Sequence, residues 1–184
     1  MNFIAGAEES YGYLAGDFVR DKDAVMACAL IAETAVWAKN QGKSLFELLL
    51  DIYREFGLYH ENLISIYKKG KSGGETIAKM MEDFRSAPPV LMAGSKVKLV
   101  HDYLSGKSLD MITGEKSDIE LPASNVLQYI TEDQTKVSIR PSGTEPKIKF
   151  YFSVKGSFKN TDTYNESRKI LEEKIELIKK DLGI

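Results

Sequence analysis

Residues 137–154, VSIRPSGTEPKIKFYFSV, constrain the fold more than any other stretch of this chain. In KIKFYFSV, Ile148, Phe150, Phe152 and Val154 fall on one side of an extended strand, with Lys147, Lys149, Tyr151 and Ser153 on the other, because successive side chains of a strand point to opposite faces. VSIR alternates in the same way, so two half-buried strands are predicted, sharing an apolar face that needs cover. The break between them, Arg140-Pro141-Ser142-Gly143-Thr144-Glu145-Pro146, carries more hydrogen-bond donors than a turn requires.

The rest of the chain supplies that cover. Asn2 to Ala5 reads as the end of a strand, followed by a Gly-rich loop, GAEESYGYLAGD. A helix capped by Asp21 or Asp23 runs through Val25, Met26, Cys28, Ile31 and Val36, apolar on most of its circumference. Gly42 ends it, Ser44 caps the next, and Leu45, Leu48, Leu49, Ile52 and Phe56 recur at helical spacing up to Gly57. The pattern then changes. ENLISIYKKG reads as a strand and GGETIAKMMEDFRS as a helix stopped by Pro88 and Pro89. SKVKLVHDY reads as a strand with Val97, Leu99 and His101 on one side. Residues 104–124 form an excursion of two hairpin-like pieces, and NVLQYIT with KVSIR a hairpin around Glu132-Asp133-Gln134. A final helix over roughly 163–182 presents Leu171, Ile175, Ile178 and Leu182 to a core. From about residue 58 the order β-α-β, β-β-β-α predicts an α+β fold, an antiparallel sheet with helices on one face.

Composition narrows the function classes. Hydrophobic residues at 43%, charged residues at 28% and a net charge of -2 over 184 residues give no bulk reason for nucleic acid or an anionic membrane as partner, so any anion site must be local. The most apolar stretch, Ala24 to Ala38, is interrupted by Glu33 and Thr34 and falls short of the ~20 residues of a membrane span; neither signal peptide nor anchor is read, and a cytoplasmic location is expected. A single cysteine excludes an internal disulfide and reads as a small core residue. His60 and His101 have no carboxylate or Cys at ligand spacing, so no metal site is assigned.

The break in the strand pair has the chemistry of a phosphate cradle. Arg140 offers a planar fork of donors whose charge survives any physiological pH. Ser142 and Thr144 add hydroxyls, and Gly143 lets the backbone approach a ligand and turn N–H groups toward it. Pro141 and Pro146 stiffen both shoulders. A plain hairpin turn would account for SGT alone, but not for the arginine and both prolines with it. Glu8 and Ser10, two apart in the Gly-rich loop, can accept and donate to vicinal hydroxyls of a sugar; Glu9 reads as solvated. A stand-alone α+β module that binds the phosphate of a nucleotide, a phosphoprotein or RNA is the other reading of these residues. Against it stands MNFIAGAEES, which enters directly on a short apolar run, as expected of a fragment; the exposed helix 24–38 would then favour self-association.

GAEESYG followed about 130 residues later by RPSGTEPK, just before a final strand and helix, resembles the α-D-phosphohexomutases, the phosphoglucomutase and phosphomannomutase family. The resemblance implies that residues 1–58 are the C-terminal part of the family's third domain, a helical remnant of an α/β domain carrying the sugar-binding loop. Residues 59–184 would be the complete fourth, phosphate-binding domain, with a TATA-box-binding-protein-like fold. It also implies that Glu8 and Ser10 contact sugar hydroxyls and that Arg140, Ser142, Gly143 and Thr144 hold the phosphate that is not reacting. Lys22, in VRDKD, matches a lysine that enters the site in the phosphoglucomutase branch, though a lysine there also fits an ordinary surface position. Ala7 stands where the family usually has Gly, and the 104–124 excursion is longer than in the shorter members. The family's phosphoserine loop and its Mg2+-binding aspartate loop have no counterpart here: neither a T-A-S-H-N-P-like nor a D-G-D-x-D-R run occurs. The resemblance therefore implies a parent enzyme that isomerises hexose 1-phosphate and 6-phosphate with Mg2+ and a hexose bisphosphate. This chain alone, a partner to the upstream domains and to a phosphosugar, is expected to be inactive.

Overall fold

The computed structural model describes residues 3–8, 11–19, 21–68, 70, 72–158 and 163–184, and the chain divides into two compact units, Met1–Glu55 and Phe56–Ile184.

The first unit opens with a hairpin of β1 (Ala5–Ala7) and β2 (Tyr13–Ala15), with Gly6 opposite Leu14. Strand pairing thus begins where the expected strand was to end, and Asn2 lies outside the described residues. Helix α1 (Ala24–Asn40) starts at Asp23, not Asp21: the Asp23 carboxylate accepts the Val25 N–H at 2.9 Å, satisfying a donor the first turn leaves free. It stops at Gly42, whose φ of +71° suits a residue without a side chain. Helix α2 (Leu45–Phe56) begins in a reciprocal cap. Ser44 N–H donates to Glu47 Oε2 at 2.7 Å, and Glu47 N–H donates to Ser44 Oγ at 3.2 Å.

Burial in this unit is confined to Ala27, Ala38 and Leu50 among the described apolar residues. Ala27 and Ala38, eleven apart, share one line along α1. Off that line Val25, Val36 and Trp37 are 80%, 59% and 57% exposed. Cys28 is exposed as well, which corrects its reading as a core residue: it sits one position round the helix from the covered line. The stripe expected on α2 is likewise open at Leu45, Leu49 and Ile52, and the buried residue is Leu50.

The second unit has a full core. Strands β3 (Leu58–Tyr67), β4 (Leu91–Met92), β5 (Ser95–Asp102), β6 (Lys107–Asp110), β7 (Lys116–Asp118), β8 (Leu127–Thr131), β9 (Lys136–Pro141) and β10 (Lys147–Gly156) form one antiparallel sheet, with helices α3 (Gly73–Ser86) and α4 (Tyr164–Asp181). The order is β3-β10-β9-β8-β5-β6-β7, with β4 added beside β5. Strand β10, ten residues long like β3, lies between β3 and β9, and the two helices cover one face. That face carries Ile148, Phe150, Phe152 and Val154, all fully buried, as are Leu127, Tyr129, Val137 and Ile139. Leu171, Ile175, Ile178 and Leu182 of α4 and its C-cap close over them. The Tyr129 hydroxyl donates to the Phe84 carbonyl at 2.8 Å, so its polar atom is satisfied where its ring is buried.

Two local features depart from simple alternation. Strand β5 carries a bulge: Val97 pairs with Thr131 and Leu99 with Ile130, leaving Lys98 as the extra residue. One added residue reverses every later side chain, so Val97 and Val100 are buried rather than the expected Val97, Leu99 and His101. The 104–124 excursion supplies β6 and β7, which extend the sheet at its edge.

The β8–β9 turn is held by Asp133. Its carboxylate accepts from Thr131 Oγ1 at 2.6 Å, the Thr135 N–H at 3.1 Å and Lys174 Nζ at 2.7 Å. Burial alone would raise this carboxyl, but the Lys174 ammonium and the threonine donors hold it well below the usual carboxylate range. The folded state therefore binds this proton less readily than the unfolded chain. The stabilisation is present above about pH 4 and is lost as the pH falls further. Asp133→Asn is expected to lower the urea midpoint at pH 6 and to differ less from the wild type at pH 3; an equal difference at both pH values would contradict this.

Candidate phosphate and sugar site

In the second unit the alternation of β9 and β10 decides which side chains share one open face. Val137 and Ile139 point into the core, so Arg140 emerges on the face turned away from α3 and α4. On β10 the same rule places Lys147, Lys149 and Tyr151 on that face. The register sets Arg140 directly opposite Lys149, and a sheet bears two like charges so placed only at a cost. An anion placed between them would offset that repulsion. Arg140, Ser142, Gly143, Thr144, Glu145, Lys147, Lys149 and Tyr151 line one cleft of about 320 Å³.

The loop between the strands closes on itself. Ser142 N–H donates to the Lys147 carbonyl at 2.9 Å and Lys147 N–H to the Glu145 carbonyl at 2.7 Å. The Ser142 hydroxyl oxygen lies 3.5 Å from the Thr144 N–H and 3.3 Å from the Glu145 N–H. Two of the N–H groups expected to turn toward a ligand are thus directed at Ser142, whose own O–H proton remains to donate outward. At Gly143 a Cβ would meet no atom within 4 Å, and its φ is not left-handed. Neither backbone strain nor the protein's own packing demands glycine there, so the space above it is open to a ligand. The far shoulder is anchored: the Pro146 carbonyl accepts Lys68 N–H at 2.9 Å, and a Cβ at Gly73 would stand 2.0 Å from the Lys68 carbonyl oxygen. Lys68 follows the end of β3, and Gly73 opens α3.

In the first unit the hairpin tip presents Glu8. Glu8 N–H donates to the Gly12 carbonyl at 2.9 Å and Tyr11 N–H to the Glu8 carbonyl at 3.1 Å, with Tyr11 at φ +63°. Lys22 Nζ lies 3.2 Å from Glu8 Oε1 and 3.4 Å from Asp21 Oδ1. Glu8 first, then Asp21, raises the Lys22 ammonium above its ordinary value. A Cβ at Gly12 would fall 2.3 Å from Lys22 Cδ, so glycine there leaves room for the lysine stem to reach Glu8. Phe3, Gly6, Ala7 and Leu14 complete a hollow of about 310 Å³ around this pair. Glu9 and Ser10 lie outside the described residues.

Of the residues singled out from sequence, Arg140, Ser142, Gly143 and Thr144 share one cleft and Glu8 and Lys22 share another. Sequence reasoning assigned no role to Glu145, Lys147, Lys149 or Tyr151; the signal for the last three was the same two-residue period that put them opposite Ile148 and Phe150. His60 lies 4.0 Å from Glu172 on the outer strand, and His101 is half-buried with Nδ1 lacking a hydrogen-bond partner. Among the described residues no group of three or more His, Cys, Asp or Glu side chains is placed to hold a metal ion, and no helix is long and apolar enough to cross a membrane.

Comparison with known proteins gives three findings. Residues 1–56 match the family model described as phosphoglucomutase/phosphomannomutase, alpha/beta/alpha domain III. The chain is 44% identical over 154 residues to a phosphoglucomutase of Staphylococcus epidermidis, covering 84% of this chain and 28% of that protein. It is 39% identical over 165 residues to the phosphoglucomutase of Staphylococcus haemolyticus, covering 90% and 29%. Among solved structures, the open form of the Paramecium phosphoglucomutase pp63/parafusin, an exocytosis-sensitive phosphoprotein, superposes with a TM-score of 0.54 at 18% identity, covering 96% of this chain and 30% of that one. This last likeness is one of fold. The chain spans less than a third of the length of each of these relatives.

Proposed function

Since this chain belongs to the α-D-phosphohexomutase (phosphoglucomutase/phosphomannomutase) family as a C-terminal portion of it, we propose that it is the sugar- and phosphate-binding part of an enzyme interconverting hexose 1-phosphate and hexose 6-phosphate. The reaction would run through a bisphosphorylated sugar and an enzyme phosphoserine. The observation that carries the proposal is the cleft that gathers Arg140, Lys149 and the Ser142-Gly143-Thr144 loop on one sheet face.

In this reading residues 1–58 are the end of the third domain and residues 59–184 the fourth. Glu8 and Ser10 accept from and donate to sugar hydroxyls, and Lys22, already drawn to Glu8, adds a cation on the same side. Arg140, Ser142, Gly143 and Thr144 anchor the phosphate distal to the reaction. A mutase must hold a bisphosphorylated sugar while its two ends exchange places, so the distal anchor has to grip phosphate without regard to which carbon bears it. A fork of guanidinium donors and a short rigid loop do that. The apolar sides of α1 and α2 pack against the rest of the third domain, or drive self-association through helix 24–38 when it is absent.

The chemistry itself lies elsewhere in the parent protein. In this reading Mg2+ and the phosphoserine belong to other parts of the parent protein, as the sequence holds neither a phosphoserine loop nor an aspartate loop of the family's kind. The test is a titration of the 184-residue chain with glucose 6-phosphate, followed by NMR, and a coupled assay with glucose 1-phosphate, Mg2+ and hexose bisphosphate. Resonances of residues 140–144 are expected to shift, with no turnover. Turnover by this chain, or a titration that leaves the loop unmoved, would overturn the proposal.

A further inference from the structure

Within the phosphate cleft one contact is not accounted for by the cradle. Glu145, a carboxylate in an anion site, is ion-paired with Lys147. The pair is built rather than incidental, because the backbones of the same two residues are bonded to each other and Pro146 between them is pinned. Lys147 N–H donates to the Glu145 carbonyl at 2.7 Å, the Lys147 carbonyl accepts Ser142 N–H at 2.9 Å, and the Pro146 carbonyl accepts Lys68 N–H at 2.9 Å. The Lys147 stem lies along the sheet, with its ammonium 5.7 Å from the centre of the Tyr67 ring, and its side chain is only 18% exposed. Glu145, by contrast, is 53% exposed and has a flexible side chain. The cation is therefore fixed in the cleft and the anion is free to leave it.

Resting on the reading of the cleft as a phosphate anchor, we propose that Lys147 is its exchangeable cation: Glu145 is the resting counter-ion of the ammonium, and a bound phosphoryl group replaces it. Arg140, Lys147 and Lys149 with Glu145 give the cleft a net charge of two positive, against the charge of about -1.5 to -2 on a phosphomonoester near neutral pH. Glu145 lowers affinity by competing for Lys147. That keeps the cradle from holding phosphate so tightly that the sugar cannot let go and turn. Glu145 is in this sense a positioning residue that acts through Lys147, and the lysine is the group that touches the ligand.

The experiment measures binding of inorganic phosphate to the full 184-residue chain at low ionic strength by calorimetry, for the wild type, Glu145→Gln, Lys147→Gln and the double variant. Lys147→Gln is expected to weaken binding about tenfold, the loss of one charge-assisted contact. Glu145→Gln is expected to tighten it about two- to fivefold, the scale of an exposed ion pair. The decisive reading is the coupling. In the Lys147→Gln background the Glu145→Gln gain should disappear; an equal gain in both backgrounds would mean that Glu145 merely repels anions and would overturn the exchange. Should Lys147→Gln fail to fold, Lys147→Met takes its place in the cycle, and unchanged affinity in Glu145→Gln alone already overturns the competition. A wild type that binds no phosphate defeats the phosphate-anchor reading itself, whereas wild-type binding that neither variant alters defeats only the counter-ion exchange.

Discussion

Truncation of Phe150 to alanine is expected to destabilise the Phe56–Ile184 unit by about 3–5 kcal/mol, the cost of emptying a large core site. The ring is fully buried in the middle of β10. Its backbone neighbours are Ile64 on one side and Ile139 on the other. Above the sheet it meets Phe84 of α3 edge-on, with centroids 5.7 Å apart and planes at 75°, a geometry that adds to the burial itself. Removing it leaves a void between strand and helix that two surrounding strands cannot collapse to fill. Against a typical domain stability of about 5–15 kcal/mol, a large share of this unit's margin would be gone. Urea denaturation followed by far-UV circular dichroism measures it; the only tryptophan, Trp37, lies in the other unit and is not the right probe. A loss below about 1 kcal/mol would show that the sheet and helices are not packed as described.

Replacing Arg140 by methionine is expected to weaken phosphate binding by about 1.5–3 kcal/mol, roughly 10- to 150-fold, with the melting temperature unchanged. Arg140 is exposed and contributes nothing to the core, so binding and folding separate cleanly. Methionine keeps the length of the stem and removes the charge and the fork. Arg140→Lys restores the charge alone, and its affinity is expected to fall between the two, because a single ammonium cannot form the paired contact of a guanidinium. Calorimetry with inorganic phosphate distinguishes them. Equal affinity of the wild type and Arg140→Met would remove this arginine from the anchor.

Much of the second unit was legible before the structure because its signals are local and repeated. The two-residue period of KIKFYFSV placed Ile148, Phe150, Phe152 and Val154 on the buried face, though Ser153, assigned to the other face, is buried as well against Glu61, and Leu171, Ile175, Ile178 and Leu182 were read from a helical period alone. Local periodicity failed where a single residue was added: the bulge at Lys98 reversed the second half of β5, and nothing in SKVKLVHDY announces an unpaired residue. It also failed on α1. An apolar run says that a helix seeks cover but not which line along it will find any, so Cys28 was placed inside and stands outside.

For the site the division follows the same physics. The sequence by itself determined the donors: an arginine, two hydroxyls, a glycine and two prolines are a matter of composition at one break, and the face on which Arg140 emerges follows from counting by twos. Tertiary structure alone decided what surrounds them. The pairing register set Lys149 opposite Arg140, the loop's closure turned two N–H groups onto Ser142, and the fold of the hairpin tip brought Lys22 onto Glu8 across a gap that Gly12 leaves open. Each of these depends on which atoms come within about 3 Å of each other across the chain, where hydrogen bonds and ion pairs act, and no period along the sequence carries that distance.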